Sequence, residues 1–556
     1  MPLPHRSPMS SYWLSSHAYP PEPDLSTHRT TPELPAEVDV AIIGSGFSGA
    51  ATAYYILKGE EQSSSSYASA SASASSPSSG SGINSSSGGS DTTPTTPSPP
   101  PPPPSVLILE AREACSGATG RNGGHVKPDL YFNAALYSKH YGARMAAELT
   151  EFETRQVFDI KKLVEQERIE CDFELTRTID VYTDERVAGP VVEGYMRMKE
   201  SEGYEFAEDL HFIPGERGRA EQVSGVKGAL CAFSYTAASL WPWKLVMGLL
   251  GRVVGMGGNL QTNTVVLGVE REEMQKEKQE QEGEGDGDGG GRWVLRTERG
   301  NVRAKTVVVT TNAYTGQLLN EFEGKITPAR GVACRIATST SGKHEGERDG
   351  VGVGVGAGEG VRLVRPPPHL NNTYSIRFGP QEYDYLISRT DGSIVVGGAK
   401  QAVLLDDNYW RDNTDDSQLI PGAREYFTGY MQRHFHGWEG TDAQITHIWT
   451  GVMGYSADLM PWVGEVPDRK GVFVSAGFTG HGMPRILGCA EAVAALVRGR
   501  VRVRGHGQGK DGMQGTKVPR PYWVTKERLE EKRDISREYM AGGRAKEGTS
   551  SSSSKL

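Results

Sequence analysis

The stretch Val38-Asp39-Val40-Ala41-Ile42-Ile43-Gly44-Ser45-Gly46-Phe47-Ser48-Gly49 decides how the chain is read. Its first half is a short apolar run of the kind that forms a parallel strand buried on both faces. It runs directly into three glycines spaced G-x-G-x-x-G, then into the small residues Ala50, Ala51 and Ala53. Gly44 permits the tight turn, Gly46 lets backbone approach a pyrophosphate, and Gly49 lets the following helix pack on the strand. Phe47 and Ser48 open that helix, whose N-terminal N–H groups and positive dipole favour phosphate. A second strand ending in an acid should follow. Val106 to Leu109 and then Glu110 supply both, once a Ser/Pro tract is set aside. An acid here suits a ribose hydroxyl and disfavours a 2′-phosphate, so the ligand is FAD or NAD rather than NADP.

The remainder bounds the molecule. The 556 residues are only 37% hydrophobic and include 69 glycines. The deficit is concentrated in a Pro-rich start before Ala36, the Ser/Pro tract, a Glu/Gly run, a Gly/Val stretch and a basic, Ser-ended tail. Without these roughly 170 residues, about 380 remain, enough for two domains. No window approaches a membrane span, since Leu240 to Val254 contains Lys244 and Arg252. The start lacks a secretory apolar region. Five cysteines at unrelated spacings suggest neither a disulfide framework nor a metal site. A net charge of −9 argues against nucleic acid as a partner.

Helical spacing over Tyr141 to Arg168 and Trp241 to Val254, strand runs over Cys171 to Thr183 and Val302 to Thr311, and a hairpin around the Glu/Gly run complete the pattern. The expected fold is α/β: a Rossmann-like dinucleotide domain with a second, sheet-rich α+β substrate domain and disordered insertions. The dinucleotide domain is expected over 36–150 (insertion 62–104), 226–325 (insertion 272–291) and 446–505. The substrate domain takes 151–225 and 326–445 (insertion 341–360), and 506–556 is a tail.

Two further motifs narrow the ligand. Cys115-Ser116-Gly117-Ala118-Thr119-Gly120-Arg121-Asn122-Gly123-Gly124-His125 follows the second strand. Near the other end, Trp449 to Asp458 precedes Gly477-Phe478-Thr479-Gly480-His481-Gly482-Met483-Pro484 and an Ala-rich helix. With these, the sequence resembles the D-amino-acid oxidase superfamily of FAD-dependent oxidoreductases, in the branch of gamma-glutamylputrescine oxidase, glycine oxidase and sarcosine oxidase. The resemblance covers Ala36 to Arg500 apart from the insertions. It implies that Gly44, Gly46 and Gly49 hold the FAD pyrophosphate, with Glu110 and Arg112 beside the adenosine ribose. Thr119, Arg121, Asn122, Gly123 and Gly124 would line the pyrophosphate and the flavin edge, and Val266 would meet the adenine. Gly480, His481, Gly482 and Met483 would bring a helix N-terminus to the flavin N1/C2=O end, where reduction leaves negative charge.

The resemblance further implies oxidation of a carbon bearing an amine, with O2 reoxidising the flavin to give hydrogen peroxide. Two departures stand out. Where sarcosine oxidases carry a carboxylate-binding Lys, this chain has Pro484 and then Arg485. No Cys stands near Tyr383 to Leu386 for a covalent flavin bond, so FAD is expected to be noncovalent. Candidate catalytic residues are His125, Lys127, Tyr385 and Arg330, with Trp243 and Arg389 also considered for the pocket. His125 serves either the pocket or the packing of its loop, Tyr385 either substrate or core, and Arg330 either a carboxylate or a local turn. Trp243 reads more as core.

The chain ends Ser554-Lys555-Leu556, a peroxisomal import address. Substrate, O2 and the import receptor are therefore the expected partners, and the low-complexity insertions have a fungal look. Two other readings are a dehydrogenase passing electrons to another acceptor and a flavin-binding protein that has lost catalysis.

Overall fold

A computed structural model describes residues 3–15, 24–59, 103–200, 204, 208–272, 292–339, 366–380, 382–400, 406–503 and 517–536. The expected insertions fall almost wholly outside these residues, as do the last 20 of the chain.

Two sheets organise the molecule. The first holds β1 (Glu37–Ile43), β2 (Val106–Leu109), β7 (Asn259–Gln261), β8 (Val266–Arg271), β9 (Trp293–Thr297), β10 (Gly300–Val309), β16 (Trp462–Glu465) and β17 (Val472–Ala476). Its path is β16-β17-β10-β1-β2-β7. From β17 to β7 every pairing is parallel. Strand β1 is buried on both faces, and its alternation divides the core. Val40 and Ile42 pack in one cluster with helix α1 (Phe47–Lys58), while Ala41 and Ile43 pack in another on the opposite face. Strands β8 and β9 form the expected hairpin.

The second sheet runs β15-β11-β14-β13-β12-β4-β6-β3, with β5 (His211–Pro214) beside β6. Its strands are β3 (His125–Val126), β4 (Glu174–Tyr182), β6 (Cys231–Ser239), β11 (Ile326–Ala337), β12 (Thr373–Arg377), β13 (Tyr383–Ser388), β14 (Ile394–Gly398) and β15 (Gln444–Ser456). These pairings are antiparallel except β12 with β4. Helices α2 (Ala143–Glu167) and α3 (Pro242–Gly255) match the expected helical stretches, and α4 (Ile486–Val503) follows the last glycine motif.

The α/β fold with two sheets is as expected, but several memberships differ from the sequence reading. Strand β6 lies within 226–325 and β15 extends past 445, yet both belong to the second sheet. Helix α2, mostly within 151–225, buries Leu149, Phe152 and Ile160 in the core that holds Val40 and Ile42. Apolar periodicity specifies an element's type and buried face but not which sheet receives it.

The two chain ends were also misread as surplus. Trp13 is fully buried beside Trp241 and Trp449 and donates Nε1 to the Asn122 carbonyl at 2.6 Å. In the assigned tail, Tyr522 is buried against Phe152, and the Arg528 guanidinium pairs with Asp458 at 2.6 Å over the Trp462 ring. A few large aromatic side chains anchor segments whose average composition looks unfit for a core.

Candidate active site

The first glycine turn is built by contact rather than by composition alone. Gly44 has φ +107°, and a Cβ there would lie 2.9 Å from Thr310 Oγ1. A Cβ on Gly49 would lie 1.9 Å from the Gly44 carbonyl oxygen, so helix and turn meet backbone to backbone. A Cβ on Gly46 would crowd Thr119 Oγ1 at 3.2 Å, and that oxygen accepts from Phe47 N at 3.1 Å. Ser48 is turned inward, donating to Ser475 Oγ at 2.9 Å. Glu110 accepts from Ser45 N at 3.0 Å and Ser45 Oγ at 2.6 Å through one oxygen, and from Arg112 N at 3.1 Å through the other. A carboxylate offers about four acceptor positions, so capacity remains for a ribose hydroxyl.

Arg112 and Arg121 line the cavity with Glu110 and Thr119, and their guanidinium groups are engaged by the protein. Arg112 pairs with buried Asp416 at 3.0 Å and donates to the Ser116 and His5 carbonyls. Arg121 donates to the carbonyls of Ser116, Thr450 and Met9, and burial lowers its pKa to about 10. Together they tie the loop after β2 to β15 and the N-terminal segment. Asn122 likewise turns its Oδ1 to Gly124 N at 2.7 Å. Their backbones and stems still line the cavity.

That cavity has a volume of about 430 Å³ and is continuous. It runs from Gly44, Glu110 and Val266 to His125, Tyr385 and the loop Gly480–Met483. The loop is held from beneath by Glu153 of α2, a buried carboxylate that the sequence reading missed. Glu153 accepts from Asp129 N at 2.8 Å, bonds His481 Nε2 at 2.7 Å and pairs with Arg485 Nε at 2.7 Å. Burial alone would raise its pKa, but the charge of Arg485 and its bond to His481 outweigh this and hold it at about 2. One side chain thus joins the loop after β3, the glycine loop and the start of α4. A signal existed: Leu149, Glu153 and Val157 stand four apart, placing an acid on an apolar helix face.

The second sheet supplies the far wall. Tyr385 lies so close to Gly123 and Gly397 that a Cβ on the first would overlap its ring at 2.0 Å and one on the second its hydroxyl at 2.1 Å. Its position against the loop carrying Gly123 and Gly124 makes it a wall of the cavity rather than core. His125 also lines the cavity, and its Nε2 has no hydrogen-bond partner among the described residues. Burial, with Lys127 and His481 nearby, lowers its pKa well below the usual value and keeps it neutral. Lys127 lines the cavity while pairing with Asp180 at 3.0 Å, and Asp180 also accepts from Tyr131 and Tyr235. Arg377 and Lys400, both unforeseen, stand beside Tyr383 in the same wall.

Three other candidates divide, one lining the cavity and two outside it. Arg330 lines the cavity and is buried, and its guanidinium also donates to the Tyr409 carbonyl at 3.0 Å and the Gln418 carbonyl, bracing a turn. Arg389 pairs with Asp172 at 2.5 Å between the Trp13 and Trp241 rings, away from the cavity. Trp243 is core. None of the five cysteines, all buried, lines the cavity. Among the described residues no group of acids, histidines or cysteines could hold a metal, and no helix is long and apolar enough to cross a membrane.

Comparison with known proteins agrees with this geometry. A family model described as FAD dependent oxidoreductase matches residues 102–496. Gamma-glutamylputrescine oxidoreductase of Escherichia coli is 22% identical over 398 residues, covering 71% of this chain and 78% of the relative. A probable oxidoreductase, OrdL, of Rhizobium meliloti is 22% identical over 406 residues, with the same shares. Among solved structures, glycine oxidase from Geobacillus kaustophilus aligns with a TM-score of 0.56 at 16% identity, covering 87% of this chain and 99% of that one. L-amino acid deaminase from Proteus vulgaris aligns at 0.55 and 14%, covering 90% and 96%. At these identities the structural likeness establishes the fold.

Proposed function

The chain belongs to the family of FAD-dependent oxidoreductases, and we propose that it oxidises the carbon–nitrogen bond of an amine or amino acid, with O2 as the final acceptor. One observation carries this reading: a single cavity joins the glycine turn and Glu110 to a chamber walled by His125, Tyr385 and the His481 loop. The residues fit FAD. Side chains are missing where a Cβ would fill the cradle, and an acid with spare acceptor capacity stands at the ribose end. The absence of a lining cysteine accords with noncovalent binding.

FAD, when bound, supplies the acceptor for a hydride from the amine-bearing carbon, and O2 then takes those two electrons to give hydrogen peroxide. The chain's own residues do the rest. Tyr385 and the Gly123–Gly124 loop hold the substrate carbon in place and exclude water. Neutral His125 presents Nε2 to the chamber as a hydrogen-bond acceptor for the substrate amine, which binds as the free base with its lone pair available. The imine released on oxidation is hydrolysed by water to a carbonyl compound.

The test is a panel of primary amines, secondary amines and amino acids added anaerobically to the purified yellow protein. Bleaching by at least one member, with peroxide released on admitting air, supports the reading. Turnover only with an added dye favours a dehydrogenase, and full FAD content with no bleaching by any amine favours a non-catalytic flavoprotein. The terminal Ser554-Lys555-Leu556 supports a peroxisomal location. A fluorescent fusion that stays diffuse whether or not these residues are present would refute that location.

A further inference from the structure

The segment ahead of the first strand meets the cavity in a way that its composition does not foretell. Its inner part is anchored. Ser11 and Trp13 are fully buried; Ser11 Oγ donates to the Gly120 carbonyl at 2.6 Å and Trp13 Nε1 to the Asn122 carbonyl at 2.6 Å. Trp241 Nε1 in turn donates to the Trp13 carbonyl at 3.1 Å. The outer part, residues 3–10, is exposed or half-buried throughout. Leu3 and Pro4 nevertheless line the cavity, together with Glu110, Arg112 and Val266.

Contacts on either side fix where this arm crosses. Arg112 Nη1 donates to the His5 carbonyl at 3.1 Å, and the Arg112 backbone N–H donates to Glu110 at 3.1 Å. Leu3 and Pro4 therefore stand at the Glu110 end of the cavity and not at the Tyr385 end. On the other side, Arg6 Nη2 pairs at 3.0 Å with Glu298, in the turn between β9 and β10. The neighbouring Thr297 is the register partner of Val266. The arm thus spans from the loop after β2 to the β8–β9 hairpin, the two walls to which the family resemblance assigns ribose and adenine. Behind it, Met9 N donates to the Asp416 carbonyl at 2.9 Å, and the Met9 carbonyl accepts from Arg121 at 2.7 Å.

These holds differ in strength. The anchor is buried among aromatic rings, whereas an exposed ion pair such as Arg6 with Glu298 contributes little. Leu3 is 39% exposed and, among the described residues, belongs to none of the hydrophobic clusters. An apolar side chain set over a cavity with no core behind it gains burial when a flat ring fills the space beneath. A segment with so few buried contacts opens without the rest of the fold.

We propose that Leu3 and Pro4 belong to the FAD site: residues 3–10 form a strap that closes over the adenosine end of the cofactor, swings on the anchor at Ser11 and Trp13, and must lift before FAD leaves. This goes beyond the amine-oxidising reading and requires only FAD in the cradle. In the test, full-length holoenzyme loaded with radiolabelled FAD is chased with excess unlabelled FAD, and the retained label is followed in time. The double variant Leu3→Ser/Pro4→Ser should lose label about 10-fold faster than the parent. Arg6→Glu, which sets like charge against Glu298, should lose it about 3-fold faster, and adding Glu298→Arg should restore the parental rate. Leu175→Ser, at a similarly exposed leucine outside the cavity, should leave the rate unchanged. Urea midpoints of the apoproteins should match the parent, because the strap then has nothing beneath it to hold.

Equal release by the parent and Leu3→Ser/Pro4→Ser overturns the strap, as does equal acceleration by Leu175→Ser. A lowered apoprotein midpoint in Leu3→Ser/Pro4→Ser also overturns it, since the segment then braces the fold and not the cofactor. If that double variant is not recovered, Arg6→Glu with and without Glu298→Arg decides: a rate unmoved by the reversal, or not restored by the exchange, overturns the strap. The two readings fail separately. Strap-dependent retention of FAD with no bleaching by any amine defeats only the amine chemistry, while bleaching with strap-independent release defeats only the strap.

Discussion

Replacing Glu153 by Gln keeps the shape of the side chain but removes the charge at the point where three segments meet. Its cost can be worked in two ways. Arg485, 2% exposed, loses its carboxylate, and leaving one partner of a buried pair costs about 3–5 kcal/mol. Independently, a pKa of about 2 against the ordinary 4.5 corresponds to roughly 3 kcal/mol at neutral pH. The two agree. Because the folded pKa is depressed, this stability is fully present above pH 4.5 and is lost as pH falls toward 2. At pH 3 about half the neutral-pH contribution should remain. The assay is urea unfolding of parent and variant, followed by intrinsic fluorescence at pH 7, 5, 4 and 3. The variant should be about 3 kcal/mol less stable at pH 7, and the gap should shrink to about half at pH 3. A gap below about 1 kcal/mol at pH 7, or one that does not change with pH, refutes Glu153 as the charged anchor.

Gly49→Ala puts a Cβ 1.9 Å from a backbone oxygen, a clash no side-chain rotation relieves, so the purified protein should be colourless where the parent is yellow; visible absorbance checks this. Trp13→Ala should cost about 3–5 kcal/mol in urea unfolding, although it lies in a segment whose composition suggests dispensability. His125→Leu should lower kcat/KM for the best amine by about 10-fold or more with FAD content unchanged; equal rates would remove His125 from the positioning of the amine.

How much was legible follows from the range of each interaction. The strand, glycine turn and helix of residues 38–58 could be read because all their requirements are local: apolar alternation, a positive φ at Gly44, and a backbone contact between Gly44 and Gly49. The second strand and Glu110 were legible for the same reason once the intervening tract was set aside. The glycine loop before α4 was legible as a motif, but its support was not, because Glu153 reaches it from more than 300 residues away. The resemblance implied cofactor roles for Arg112 and Arg121, but it could not show that their guanidinium groups are also engaged by carbonyls and by Asp416 on distant segments.

The sequence by itself determined the elements and the glycine turn, which rest on contacts between near neighbours in the chain, and its motifs carried the resemblance that implies FAD; Thr119, Glu110 and Thr310 close the cradle from farther along the chain. Only the tertiary structure decided which charges face the cavity. Strand register set Arg377 against Tyr383 and brought Lys400 to the same ring, while packing turned Arg389 away toward Asp172. A side chain's chemistry is written in its own residue, but whether that chemistry meets a ligand or a carbonyl depends on partners that folding brings from elsewhere.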